Sequence, residues 1–368
     1  MSMDDRELLY WNAFNNIPGF GPQRFKKLNS FFDSLENAWK ANRLNLVTSG
    51  VGEKQADFFI AERDKISPEK LFEELEKEDI QMIIYLNQKY PPQLKEIPSA
   101  PPVLYLKGNQ ELLSCKSVAV VGSRKFTSYG ERVVQSLCRE LAQAGLVIVS
   151  GLAIGIDALS HRAVLEAQGK TTAVLGSGLD KNSVYPRVNF NLAQEIAEAD
   201  GVLVSEYPPR TPSLKQNFPA RNRIMAGLAL GTIVIEADGD SGSLITANYS
   251  LEFNREVFAV PGSIFSPQSI GTNQLIKNGA KLVGSAADVL EELNIQTKFT
   301  ETSREQKIFN PNTEEEKTIW KILSTDPQHI DTIVKLSKLN AATVSSLLAS
   351  LEIQGVVKNI GGQNYIKI

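Results

Sequence analysis

Between residues 117 and 295 short apolar runs alternate with helical patterns, and that alternation leaves the chain very few folds to choose from. The strand candidates are Val118–Val121, Val147–Ser150, Thr172–Leu175, Val202–Ser205, Thr232–Glu236 and Val257–Val260. Runs made almost wholly of Val, Ile and Leu belong to strands buried on both faces, hence to a parallel sheet between helical layers. Right-handed crossovers follow from chain chirality. The expected fold class is α/β, a Rossmann-like, doubly wound, mostly parallel sheet.

In such a sheet ligands sit beyond the carboxyl ends of the strands, so the residues at the strand exits carry the functional information. They are rich in small residues. The first run leaves into Gly122-Ser123-Arg124, and a helical pattern opens near Tyr129-Gly130. The second leaves into Ser150-Gly151 and on to Gly155, the third into Gly176-Ser177-Gly178, the fifth towards Ser241-Gly242-Ser243. A strand, a small-residue turn and a helix start aim backbone N–H groups at an anion. Arg124 adds a planar fork of donors suited to phosphate. One such turn is ordinary packing; four on one sheet edge argue for a site that lets a chain of phosphates approach the backbone. None is a GxGxxG or GxxxxGK[ST] loop, so neither a dinucleotide nor a P-loop fingerprint is present.

The fourth exit differs. Ser205-Glu206-Tyr207-Pro208-Pro209 leads to Lys215-Gln216-Asn217-Phe218-Pro219-Ala220-Arg221-Asn222-Arg223, where a helix opens. Lys215 and the arginines neutralise phosphates, and Phe218 offers a face on which a base stacks. The plainer reading is a helix start with solvated arginines and a core phenylalanine. Catalytic candidates are thin. Asp157 and His161 stand four apart and share a helix face. They read either as a carboxylate-oriented general base or, more simply, as a helix cap with a local partner. No nucleophile elbow, metal cluster or Walker lysine occurs, so no catalytic residue, metal or cofactor is assigned.

Charge supports a polyanion partner. The net charge is −3, but residues 81–230 carry 16 Lys and Arg against 11 Asp and Glu, while residues 1–80 carry 11 against 15. Positive charge therefore gathers where the Gly/Ser turns lie. No apolar run is long enough to span a membrane, the start MSMDDRELLYWNAF is no secretory signal, and two cysteines make no framework, so a reducing cytoplasm is expected.

The flanks give the expected domain plan. Residues 1–80 read as a helical domain with two glycine hairpins, Ile17-Pro18-Gly19-Phe20-Gly21 and Ser49-Gly50-Val51-Gly52, of helix-hairpin-helix or SAM-like type. Such hairpins contact DNA phosphates, but any tight helical hairpin needs glycine, and this segment is acidic. Residues 81–295 hold the Rossmann-like domain, its first 36 residues a Pro-rich connector with some sheet character, strand-like at Gln81–Tyr85 and Val103–Leu106. A polar linker spans 296–312. Residues 313–368 outline a winged helix: helices Thr313–Ser324, Ile330–Ser337 and Ala341–Gln354, then strands Val356–Asn359 and Tyr365–Ile368. Its third helix lacks Arg and Lys, which favours a protein contact or a weak DNA role.

Across residues 117–284 the segments VAVVGSRKFTSYG, SGLAIGIDALSHRAVL, TTAVLGSGLDKNSVYPRVN, SEYPPRTPSLKQNFPARNRIMAGL, SGSLITA and REVFAVPGSIFSPQSIGTNQLIKNGA together resemble the DNA processing protein A (DprA/Smf) family. The resemblance implies a non-enzymatic protein that binds single-stranded DNA, protects incoming strands in natural transformation and loads the RecA recombinase, as a homodimer through the Rossmann-like domain. It carries DNA contact onto Gly122, Ser123, Arg124, Ser150, Gly151, Lys215, Phe218, Arg221 and Asn222. Arg210 and Asn254 stand where the family often has glycine, and Ser160 where it often has alanine. Arg210 is expected to add positive charge beside the groove. The competing reading is a nucleotide-binding or nucleotide-hydrolysing Rossmann enzyme akin to the lysine-decarboxylase-like phosphoribohydrolases. Their PGGxGT-type loop is replaced by Ser241-Gly242-Ser243-Leu244-Ile245-Thr246.

Overall fold

A computed structural model describes residues 3–296, 311, 313–324 and 326–367. The chain divides into two compact units, Met1–Thr297 and Lys298–Ile368. Apart from residues 296 and 311, the expected linker lies outside the described residues.

The first unit begins with six helices: α1 (Met3–Asn15), α2 (Pro22–Phe31), α3 (Leu35–Lys40), α4 (Arg43–Thr48), α5 (Glu53–Arg63) and α6 (Pro68–Lys77). Their starts follow local chemistry. Ser34, Asn42 and Ser67 accept the amides of Asn37, Asn45 and Lys70, and Pro22 and Pro68 stand in the first turn, where a missing N–H is harmless. Phe14 is the hub: its ring stacks on Phe59 at 4.9 Å and meets Trp39 edge-on at 5.2 Å. The two glycine hairpins are clamped to each other. Arg24 donates to Val51 O and Gly19 O, Lys27 to Gly50 O at 2.8 Å, and Gln55 to Pro18 O at 2.8 Å. Those cations hold loops together, which accounts for them without any ligand.

Then follow β1 (Gln81–Ile84), α7 (Pro92–Lys95), β2 (Val103–Gly108), β3 (Ser117–Val121), α8 (Ser128–Gln143), β4 (Val147–Ser150), α9 (Ile156–Glu166), β5 (Thr171–Val174), α10 (Phe190–Glu198), β6 (Val202–Ser205), α11 (Asn217–Leu228), β7 (Gly231–Val234), α12 (Gly242–Glu252), β8 (Glu256–Ala259), α13 (Ile270–Lys277), β9 (Lys281–Leu282) and α14 (Ala286–Glu292). The strand order is β1-β2-β6-β5-β4-β3-β7-β8-β9. From β6 to β9 every pairing is parallel; β1 and β2 add to the β6 edge antiparallel. The Pro-rich connector thus supplies two strands to the same sheet.

Both faces of the parallel strands are covered, as their unbroken apolar runs require. Val118 and Val120 of β3 pack with α8, α9 and α14 through Leu137, Leu141, Ile156 and Val289. Ala119 and Val121 face the other way, onto Ile224, Met225 and Ala247 of α11 and α12. The N-terminal helices join a third cluster with Tyr105, Ala173, Leu203 and Ile196, and the Tyr105 hydroxyl donates to Asn12 Oδ1 at 2.8 Å. The chain winds outward from β3 through β4, β5 and β6, then returns to start β7 on its other side. The strand order reverses between β3 and β7, and that is where a crevice opens beyond the strand ends.

The second unit holds α15 (Glu314–Ile322), β10 (Gln328–His329), α16 (Ile330–Ser337), α17 (Ala341–Ile353), β11 (Val357–Asn359) and β12 (Asn364–Lys367), with sheet order β10-β12-β11. Ile319, Ile333, Val344, Leu348 and Leu351 form its core. This is the winged-helix outline, with the short β10 added. Ile368, expected at the end of the last strand, lies outside the described residues. Among the described residues no helix is long and apolar enough to cross a membrane.

Candidate nucleic-acid interface

The exits of β3, β4 and β5 stand side by side, about 5 Å apart by strand spacing. The loop after β4 is built around one absent side chain. Gly151 has none, and the Arg221 guanidinium from α11 fills the space: a Cβ on Gly151 would fall inside it. Arg221 is 3% exposed, yet among the described residues its only hydrogen bond is to Met225 Sδ at 2.9 Å, and Nε has no partner. Burial lowers its pKa from the ordinary value, with Asp157 opposing that shift and Arg124 reinforcing it. A buried guanidinium with one sulfur contact and, among the described residues, no ion pair is costly in a free protein.

Asp157 braces the same loop. Its Oδ2 accepts the amides of Gly151 at 3.1 Å and Ala153 at 3.4 Å. The cap residue of α9 is Gly155, not Asp157. Burial pushes the Asp157 carboxyl above its ordinary range, while Arg221, the two amides and Arg124 pull it back. The loop contains Leu152 at φ 55°, fully buried, a conformation a branched side chain adopts only under constraint. Asn189 supplies it, donating to Leu152 O at 2.8 Å and Ala153 O at 3.2 Å.

His161 does not pair with Asp157, against the expectation of a local partner. Its Nδ1 meets Thr171 Oγ1 at 2.7 Å across to β5. The Thr171 hydroxyl is already donating to Ile148 O at 2.7 Å, so Nδ1 carries the hydrogen and Nε2 is a bare lone pair. Burial, with Arg221 adding to it, takes the His161 pKa down from 6.5 to about 3. The unfolded chain therefore binds a proton here near pH 6.5 that the folded chain refuses until about pH 3, so this group loses stability as pH falls. From pH 7.5 to pH 5 the loss is about 2 kcal/mol. Asp157, raised rather than lowered, works in the opposite sense, so the contribution is read by difference. Thermal unfolding of His161→Gln is expected to lose less stability over that pH interval than the wild type; an equal loss in both would refute it.

The loop after β3 carries Arg124, which is exposed. Ser123 is buried; its amide donates to Glu236 O at 2.7 Å and its Oγ accepts from Lys125 N at 3.0 Å. The Glu236 carboxylate accepts from Thr127 N at 2.9 Å and Thr127 Oγ1 at 2.5 Å. Glu236 thus fixes the loop from across the β3–β7 crevice, a role that its sequence position at a strand end does not announce. The Gly151 and Ser123 amides are taken by the protein itself, and Ser150 turns inward, donating to Val120 O at 2.6 Å. The small residues make room and bring cations close, and the side chains supply the charge.

Lys215 stands exposed in the turn before α11, and Phe218 is half-buried in its first turn, its ring against Gly176 at the β5 exit. Asn222 donates to Gly242 O at 3.2 Å, joining α11 to α12. Of the three cations in this stretch, Arg223 is spent on Glu206 in a part-buried ion pair. The structure therefore gathers Arg124, Gly151 and Arg221 into one charge cluster, with Lys215 and Phe218 at the outer end of the helix that carries Arg221. Ser150 and Asn222 sit at the same edge with side-chain donors engaged inside the protein. Arg210 does not add free charge to the groove as expected: it pairs with Glu74 on α6 at 2.9 Å. Arg210 and Asn254 have φ of 66° and 55°, the left-handed region, which explains the glycine at these places in the family pattern. Among the described residues no cluster of three or more His, Cys, Asp or Glu is placed to hold a metal ion.

Comparison with known proteins bears on this edge. Residues 81–294 match the model of a family described as DNA recombination-mediator protein A, and residues 306–363 match the DprA winged helix domain. Protein Smf of Synechocystis is 37% identical over 398 residues, covering 99% of each chain. The X-ray structure of DNA processing protein A from Streptococcus pneumoniae superposes with a TM-score of 0.67 at 39% identity, over 77% of this chain and 97% of that one. The Helicobacter pylori DNA processing protein A, described for a unique single-stranded DNA binding mode, gives a TM-score of 0.53 at 31% identity, over 58% of this chain and 95% of that one.

Proposed function

This chain belongs to the DNA processing protein A (DprA/Smf) family, a family of DNA processing and recombination, and we propose that it binds single-stranded DNA, as a binding protein and not an enzyme, along the exits of β3, β4 and β5. One observation carries the reading: Arg221, buried, without an ion pair among the described residues, laid over Gly151 within charge range of Arg124. A phosphate is the anion of matching shape and charge. Lys215 and Phe218 extend the contact to the next phosphate and a base, with Gly122, Ser123, Ser150, Gly151 and Asn222 shaping the floor. The sequence division into 1–80, 81–295 and 313–368 assigns DNA contact to the middle part.

The finer role follows the family: guarding incoming strands in natural transformation and loading RecA on them, in the cytoplasm. Stimulated RecA filament assembly on coated single strands tests that part. A homodimer through the Rossmann-like domain is supported by exposed apolar side chains at its β8–β9 end: Phe265 is 90% exposed, with Ile264, Ile270 and Leu282 also open.

Oligo-dT binding measured against salt tests the reading. Affinity is expected to fall linearly with salt on logarithmic axes, and Arg124→Ala and Lys215→Ala each to lower it about tenfold and to reduce the slope by about one. Sedimentation of the same sample is expected to give twice the chain mass. Unchanged affinity and slope in both variants would overturn the DNA reading, and a monomer at micromolar concentration the dimer.

A further inference from the structure

The loop between β5 and α10 holds an aromatic ring that nothing above employs. Tyr185 is 48% exposed, although Val184 before it and Asn189 after it are buried. Its ring centroid lies 5.8 Å from that of Phe218, with the planes tilted by 49°. Phe218 is itself backed by Gly176 at the β5 exit. Among the described residues no hydrogen bond holds the Tyr185 hydroxyl, and the nearby Arg187 is engaged, donating to Lys181 O at 2.6 Å and lying 4.1 Å over the Phe190 ring. A tyrosine in a polar loop usually buries its ring or ties down its hydroxyl; this one does neither. Its partner ring stands three residues from Lys215.

We propose that Tyr185 is a second stacking platform, so that Tyr185 and Phe218 form a stepped aromatic shelf that receives an unpaired nucleobase beside the phosphate contact of Lys215. The proposal rests on the single-strand reading above and adds the part of the strand that the shelf grips. Rings 5.8 Å apart and tilted leave no slot for a sandwiched base. The base lies on the open face of Tyr185, continuing a stack that Phe218 begins. Every base has a π-face, so the shelf takes any base, and a duplex, whose faces are covered by neighbours, offers it none.

Two strands of equal length separate the contributions: oligo-dT, and an abasic strand with the same phosphates. The wild type is expected to bind oligo-dT more tightly than the abasic strand. Tyr185→Ala is expected to lose about tenfold on oligo-dT, nothing on the abasic strand, and none of the salt slope, while Tyr185→Phe keeps wild-type affinity. Unchanged oligo-dT affinity in Tyr185→Ala, or an equal loss on both strands, overturns the shelf. Either result leaves the phosphate reading standing if Lys215→Ala weakens both strands. Failure of the wild type to bind either strand overturns both.

Discussion

Replacing Arg221 with methionine is expected to weaken oligo-dT binding by about thirtyfold or more while leaving the free protein as stable as the wild type, or more so. The two effects have one cause. In the free protein the guanidinium is buried with a single sulfur contact and an unpartnered Nε. Exchanging a buried cation that makes no ion pair among the described residues for an apolar chain of similar length removes its desolvation cost and is expected to be neutral or stabilising. In the complex the same exchange removes a desolvated cation from a phosphate, a loss of about 2 kcal/mol or more, which is the thirtyfold. Asp157 qualifies the gain, because it loses a cation that favours its charged form. Its folded pKa, already raised, rises further in the variant. A raised carboxyl contributes stability below its unfolded pKa and loses it as pH climbs through the folded value. His161, no longer depressed by Arg221, accepts a proton more readily and moves the same way. The melting temperature of Arg221→Met relative to wild type is therefore expected to improve as pH falls from 8 to 5. A variant that melts well below wild type at every pH would mean that Arg221 has a structural partner and is not held open for a ligand.

Gly155→Ala is expected to destabilise the first unit by about 3 kcal/mol and to weaken DNA binding in whatever fraction folds. Gly155 has φ 93° and ψ −134°, a region that side chains scarcely enter, at a strain of about 1–3 kcal/mol. Crowding adds to it. A Cβ there would overlap Ser123 O and come within 2.7 Å of Arg124 Cα. Both are backbone atoms, so the clash cannot be relieved by a rotamer change, and overpacking of this kind costs about another 1–3 kcal/mol. Relief would come from parting the β3 and β4 exits, which breaks the bond from Ile156 N to Ser123 O, 3.2 Å long, and carries Arg124 away from Arg221. Gly145 is the control. Its φ is 85°, but a Cβ there meets nothing within 4 Å. Gly145→Ala is expected to cost the backbone strain alone, about 1 kcal/mol, and to leave DNA affinity unchanged. Equal melting temperatures for the two variants would contradict the crowding argument.

The parallel strands were legible because their chemistry is extreme. Val147–Ser150 and Val202–Ser205 fall where the apolar runs predict, and the other four shift by one or two residues. The strands that escaped are those without that signature. Lys281–Leu282 is a two-residue exposed edge, and Gln328–His329 is as short. The two strands of the Pro-rich stretch, expected at Gln81–Tyr85 and Val103–Leu106, form at Gln81–Ile84 and Val103–Gly108, because its prolines lie between β1 and β2, outside the ladder they would have broken. At the site, residue types were readable but their partners were not. Lys215, Arg221 and Arg223 look alike in a row, yet one is exposed, one is buried with no ion pair among the described residues and one is spent on Glu206. The distinction depends on Glu206, fifteen residues before Arg221 and seventeen before Arg223 in sequence, and on the missing side chain of Gly151. Arg210 shows the same limit, since its partner Glu74 belongs to another element altogether.

The most direct test is a crystal of the protein soaked with a short oligo-dT. The account predicts a phosphate against the Arg221 guanidinium at Gly151, Arg124 on the same or the adjoining phosphate, and the strand running past Phe218 towards Lys215. A strand bound elsewhere, with Arg221 still facing only Met225, would contradict it.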